Sequence, residues 1–168
     1  LSIAEDTGLI VPIGEWVIES ACRQYRSWRA ELFELGAISV NASISQLMSP
    51  QFAARTRQAM ATHHVPRGAL EVEITETAFA HDIEAVRRVL SVLRDMGVQI
   101  AIDDFGVGYS SLSHLTRFPI DRLKIDRSFI SDIPQNVEKA AVVRAIVAMA
   151  HSLNLITVAE GVETAEQE

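Results

Sequence analysis

The stretch from Val98 to Gly106, VQIAIDDFG, decides the fold class of this chain. Large apolar residues occupy every second position. This period of two predicts a β-strand with Val98, Ile100 and Ile102 on one face. The strand is followed by a turn that begins at the adjacent pair Asp103-Asp104. It is preceded by an amphipathic helix for which Asp82 is the predicted N-cap and Gly97 the stop.

The same unit recurs on both sides of that stretch. Strands are predicted over 38–43, 70–77, 98–103, 122–126 and 155–160, and helices over about 12–34, 45–63, 82–96, 110–116 and 137–153. Five strands that alternate with helices predict a parallel sheet with right-handed crossovers. Both an open doubly wound sheet and a (β/α) barrel fit this order. Polar groups at nearly every strand end, and a first strand without a Gly-rich turn, favour a partial (β/α)₈ TIM-like barrel.

Composition narrows the class of protein. The chain has 168 residues, 48% hydrophobic and 22% charged, with 22 acidic and 15 basic residues and a net charge of −7. A disordered segment would be less apolar, and a general DNA or membrane-surface binder would be basic. The longest apolar runs are too short for a transmembrane helix. A single cysteine, Cys22, excludes a disulfide framework within the chain and predicts a reducing, cytoplasmic location.

The chain begins at Leu1 rather than at an initiator Met, and it carries no signal peptide. We therefore expect residues 1–168 to be one domain that has been excised from a larger barrel, because a complete barrel takes about 250 residues.

Candidate site residues lie at the carboxyl ends of the predicted strands. They are Asn41, Glu73, Asp103, Asp104 and Glu160. Four carboxylates that converge with an amide repel one another unless cations are present, and oxygen-only ligands select Mg²⁺ or Mn²⁺. The Asp103-Asp104 pair suits one bridging and one terminal ligand of two ions, an arrangement common in phosphodiester hydrolysis. Lys124 adds a cation that could contact phosphate or hold an attacking water.

Each of these residues also has a simpler interpretation. An acid at a strand end is often a turn residue or a helix cap. Asp126 is expected to pair with Lys124 or Arg127, and Glu71 to face elsewhere or to pair locally. Convergence across five strand ends is what favours the functional interpretation.

The sequence resembles the EAL domains, which hydrolyse the bacterial second messenger cyclic di-GMP. The matching motifs, in order, are Val40-Asn41-Ala42-Ser43, Glu73-Ile74-Thr75-Glu76, Asp103-Asp104-Phe105-Gly106, Leu123-Lys124-Ile125-Asp126 and Ala159-Glu160-Gly161-Val162-Glu163. They cover nearly the whole chain.

The resemblance implies a role for each matching residue. Asn41, Glu73 and Asp103 would hold one metal ion, and Asp103 would bridge to a second that Asp104 also binds. Lys124 and Glu160 would position or deprotonate the attacking water. Glu76 would anchor the loop from about Phe105 to Ser111. Glu163 would belong to the acidic mouth of the barrel, the end at which the other candidate carboxylates lie.

The resemblance also implies a homodimer, formed by that loop and by the helix over 137–153. Two departures from the family bear on function. The strand with the Glu-Ala-Leu motif and the last barrel strand are not among these 168 residues, and Val107 stands where the family usually has Thr. The alternative to a phosphodiesterase is therefore an inactive cyclic di-GMP receptor or protein-interaction module.

Overall fold

The computed structural model describes residues 2–31, 35–76, 78, 82–107, 115–133 and 135–167. The strands are β1 (Ile38–Asn41), β2 (Leu70–Thr75), β3 (Gln99–Phe105), β4 (Arg122–Ile125) and β5 (Ile156–Ala159). The helices are α1 (Ser2–Asp6), α2 (Ile10–Ala30), α3 (Ile44–Leu47), α4 (Phe52–His63), α5 (Ile83–Asp95), α6 (Arg127–Ile130) and α7 (Val137–Ser152).

Within the described ranges, the five strands form one parallel sheet in the order β1-β2-β3-β4-β5. Each strand therefore lies beside its neighbour in sequence. A doubly wound sheet reverses its strand order at a switch point, whereas a barrel does not. The predicted α/β class and barrel-like winding are confirmed, and the described sheet is not closed into a full barrel.

The core lies between the sheet and its helices. Outward-facing strand residues are fully buried there, among them Val72, Ile74, Ile100, Ile102, Leu123 and Ile125. Helix α5 begins as predicted, because the Asp82 side chain accepts a hydrogen bond from the Ala85 amide at 3.0 Å. It is followed by Gly97 at φ 89°, a backbone conformation that favours glycine. On β1 to β4 the opposite, inward face carries mostly polar residues, whereas β5 presents Ile156 and Val158 on that face, opposite Arg122 and Lys124.

The structure corrects one of the predicted helices. The predicted helix over 45–63 is two helices, α3 and α4, separated by residues 48–51, which include Pro50. Proline lacks an amide hydrogen and disfavours helix in the residue before it, which accounts for the break. The predicted helix over 110–116 falls mostly outside the described residues.

In the ranges that the structure describes, no helix combines the length and the apolar character needed to cross a membrane.

Candidate functional site

The carboxyl ends of neighbouring strands bring the predicted residues to one rim of the sheet. Asn41 lies opposite Glu73 on β2, and Asp103 on β3 lies opposite Thr75. A cavity of about 420 Å³ opens at this rim, lined in part by Asn41, Glu73, Asp103 and Asp104. Four residues that were chosen from the sequence for their position at strand ends therefore share one cavity.

Lys124 on β4 is the cationic centre of the site. Its ammonium nitrogen lies 2.8 Å from Glu73 Oε2, 2.9 Å from Asp103 Oδ1 and 2.6 Å from Glu160 Oε1. Burial alone would lower the pKa of Lys124, but the hydrogen bonds to these three carboxylates outweigh burial and raise it above its usual value. Lys124 therefore stays charged at neutral pH and acts as a hydrogen-bond donor.

Carboxylate oxygens of Asp103, Asp104 and Glu160 can all lie within 4.8 Å of one another. Burial raises the pKa of Asp104, and the negative charges around it raise the pKa further. Those charges belong to Asp103, Asp126 and Glu160. The close carboxylates thus disfavour the ionised form of Asp104 unless another cation is present.

The backbone at Asp104 is held in an unusual conformation. Its φ is 53°, in the left-handed region that Asp tolerates better than most residues. Two residues on, the amide of Gly106 donates a hydrogen bond to Glu76 Oε2 at 3.1 Å. Gly106 has φ 101°, and a Cβ atom there would lie 2.8 Å from the Phe129 ring. Glu76 and Phe129 together fix the chain that carries Asp104.

Two acids near the site have other partners. The Asp126 side chain accepts a hydrogen bond from the Ser128 amide at 2.9 Å and so caps α6. The predicted ion pair of Asp126 was wrong, because Lys124 is bound to the three carboxylates above and Arg127 pairs with Glu163 at 2.8 Å. Glu163 is well exposed in that pair, and it lies outside the Asp103, Asp104 and Glu160 cluster.

A second polar layer lies on the inward face below the site, and the sequence interpretation missed it. Glu71 is buried and binds Arg122 at 2.7 Å and the Ser39 hydroxyl at 2.8 Å. The expectation that Glu71 faces elsewhere or pairs locally was wrong, since Arg122 is 51 residues away. The period-two pattern that placed Glu73 in the site also places Glu71 on the same face, and that signal could have found it.

The oxygen atoms at the rim of the cavity are suitable ligands for hard divalent cations. Asp103, Asp104, Glu160, Glu73 and Asn41 offer carboxylate and amide oxygens only, the ligand type that Mg²⁺ and Mn²⁺ prefer. Carboxylate oxygens of Asp103, Asp104 and Glu160 lie within 4.8 Å of one another, and negative charges at such distances favour a bound cation. The acidic cluster can therefore bind metal.

Comparisons with known proteins agree with this geometry. The family model of the EAL domain matches residues 1–168. The bifunctional diguanylate cyclase/cyclic di-GMP phosphodiesterase MucR of Pseudomonas aeruginosa is 46% identical over 168 residues, which are 100% of this chain and 24% of MucR. The signaling protein YkoW of Bacillus subtilis is 42% identical over 167 residues, which are 99% of this chain and 21% of YkoW. The chain thus spans less than a quarter of the length of these curated relatives.

Two solved structures are also similar. The MucR phosphodiesterase in complex with c-di-GMP has a TM-score of 0.93 at 46% identity, covering 99% of this chain and 68% of that one. The EAL domain of Mycobacterium smegmatis DcpA has a TM-score of 0.86 at 41% identity, covering 92% of this chain and 70% of that one. The family match over all 168 residues, together with these likenesses, leads to one conclusion: this chain belongs to the EAL domain family.

Proposed function

We propose that this chain is part of one EAL domain, residues 1–168, that hydrolyses cyclic di-GMP to linear pGpG with two Mg²⁺ or Mn²⁺ ions. The observation that carries the proposal is the contact of the Lys124 ammonium with Glu73, Asp103 and Glu160, beside the close carboxylates of Asp104 and Asp103. A site that only binds has little physical reason to hold mutually repelling carboxylates at such distances.

Asn41, Glu73, Asp103 and Asp104 would hold the two ions. When bound, the ions supply positive charge for the phosphodiester and lower the pKa of the attacking water. Lys124 donates hydrogen bonds and orients groups at its ammonium. Glu160 is half-buried at the end of β5, and its carboxylate is the group that takes the proton from the attacking water.

We also propose that the domain forms a homodimer through α7 and the loop after Asp104, of which residues 108–111 lie outside the described part of the chain. Val142 and Val147 on α7 are 43% and 40% exposed, while Ile146 and Ala150 are buried. Val143 packs against the core, and Val142 and Val147 lie on the two opposite sides of this buried face, because residues five apart are about 140° apart around a helix. An isologous contact through the Val142 side of α7 would bury that valine.

The test is turnover of cyclic di-GMP by the full-length protein, with the product separated by chromatography. Mn²⁺ or Mg²⁺ should support formation of the linear dinucleotide, and excess EDTA should abolish it. Glu160→Gln should remove most activity, whereas Glu84→Gln, which alters an exposed pair with Arg87 on α5, should leave the activity unchanged. Hydrolysis at an undiminished rate in excess EDTA would contradict the two-ion account.

The alternative function, a receptor without turnover, makes a different forecast in the same assay. A receptor binds cyclic di-GMP and releases it unaltered, with or without divalent ions. Equilibrium binding without product formation, in the presence of saturating Mn²⁺, would therefore replace the enzyme with the receptor.

A further inference from the structure

A buried ion pair lies one layer below the proposed catalytic lysine. The Glu71 side chain is 4% exposed, and its two oxygens are taken by Arg122 Nη1 at 2.7 Å and by Ser39 Oγ at 2.8 Å. Arg122 is 27% exposed and projects from β4, two residues before Lys124. None of these three residues belongs to the proposed metal ligands.

The two ion pairs that join β4 to β2 are parallel. Arg122 reaches Glu71 and Lys124 reaches Glu73, so each pair joins residues 51 apart in the chain. Both pairs cross β3, where the intervening inward residue is Ala101, which is fully buried and lies opposite both Glu73 and Arg122. A methyl group at this position leaves room for both side chains to cross.

This arrangement divides the carboxylates between the two cations. Glu71 is satisfied by Arg122, and Lys124 is left to Glu73, Asp103 and Glu160. Without the Arg122 guanidinium, Glu71 would be a buried anion with no countercharge, a costly state. Lys124 is the neighbouring cation on β4, and divalent ions at Glu73 and Asp103 would release it from those partners. The anion at Glu71 would then draw Lys124 down from Glu160.

We infer that Arg122 is a positioning residue, which neutralises Glu71 and thereby keeps the Lys124 ammonium at Glu160, on the rim of the cavity. The inference rests on the proposed function for its kinetic consequence. For its structural consequence it rests on the two ion pairs and on divalent ions binding at Glu73 and Asp103, but not on turnover.

The kinetic test compares single and double variants of the full-length protein with cyclic di-GMP and Mn²⁺. Arg122→Met should lower kcat about 10- to 100-fold, because a displacement of about 1 Å has that effect on a catalytic group. KM should change by less than about threefold, since substrate binding is not altered. Glu71→Gln combined with Arg122→Met removes the buried anion and should restore kcat to within about threefold of the wild type.

Rescue by the double variant separates positioning from simple structural support. If the double variant is as slow as Arg122→Met, the inference is overturned. Arg87→Met, in an exposed pair on α5, is the matched control and should leave kcat and KM unchanged. Should Arg122→Met fail to fold, Arg122→Lys keeps the charge on a shorter side chain. It should then retain more than about half of the wild-type kcat, and a loss as large as about tenfold would contradict the inference.

A crystal structure of the Arg122→Met variant with bound Mn²⁺, compared with the wild type under the same condition, gives a readout independent of turnover. The Lys124 nitrogen should leave Glu160 and move towards Glu71. If it stays bound to Glu73, Asp103 and Glu160 as in the wild type, the inference fails even where the wild type hydrolyses cyclic di-GMP. If the wild type does not hydrolyse the dinucleotide but Lys124 moves in the variant, the proposed function fails and the positioning role stands.

Discussion

Replacement of Lys124 by Met should destabilise the metal-free protein far more than the metal-bound protein. The ammonium makes three contacts of 2.6–2.9 Å, and its side chain is 14% exposed. Removal of one partner from a buried ion pair costs about 3–5 kcal/mol. The lower end applies here, because Glu160 is partly open to solvent. We therefore expect Lys124→Met to lower the free energy of unfolding by about 3 kcal/mol in EDTA.

Divalent ions should offset most of that loss. With Mn²⁺ bound, the carboxylates of Glu73 and Asp103 have a countercharge again, and the deficit should fall to about 1 kcal/mol. By linkage, the remaining difference of about 2 kcal/mol appears as Mn²⁺ affinity about 30-fold higher in the variant. Activity should nevertheless fall, because the donor at Lys124 is lost.

The assay is thermal unfolding in EDTA and in saturating Mn²⁺, with Mn²⁺ affinity measured by calorimetry. A loss of about 3 kcal/mol corresponds to a Tm lower by roughly 6–12 °C for a domain of this size. The control is Lys139→Met, which breaks an exposed pair with Asp132 and should cost less than about 1 kcal/mol in either condition. Equal destabilisation of Lys124→Met with and without Mn²⁺ would refute the argument that Lys124 and metal neutralise the same carboxylates.

Three further predictions follow from the same structure. Asp104 has a raised pKa, so stability falls as pH rises from 3.8 to that raised value. Asp104→Asn should raise the metal-free Tm at pH 7 but not below pH 3.8, and it should remove the stabilisation by Mn²⁺. Gly14→Ala places a Cβ 1.5 Å from Gln46 Nε2, so urea unfolding should show a loss of about 1–3 kcal/mol that Gln46→Ala partly restores. Val142→Glu should give a monomer in sedimentation, while Val137→Glu at the exposed helix start stays dimeric; a dimeric Val142→Glu variant would exclude the Val142 side of α7 as the contact.

Much of the fold is encoded locally. The period-two alternation in Leu70–Thr75 and Gln99–Phe105 predicted both strands, and the cap at Asp82 and the stop at Gly97 bounded α5. These features depend on neighbours within a few residues, so they can be deduced from a single sequence. The break at Pro50 was also a local signal, although the prediction over 45–63 passed over it.

Part of the candidate site could also be predicted from the sequence, and part could not. The choice of Asn41, Glu73, Asp103 and Asp104 required only that parallel strands end at one edge, and the structure places all four around one cavity. Their roles as ligands stay predictions. That Val143 packs inward while Val142 is exposed followed from how α7 lies against the core, which a helix that is apolar on all sides does not reveal.

The sequence by itself determined which residues face inward, because alternation along a strand fixes the side on which each side chain projects. Only the tertiary structure decided which charges meet: Arg122 with Glu71, and Lys124 with Glu73, each across 51 residues. Those pairings depend on the stagger of β2, β3 and β4 and on the space above Ala101. Stagger is set by packing of the whole sheet on its helices, and no local pattern in the chain carries it.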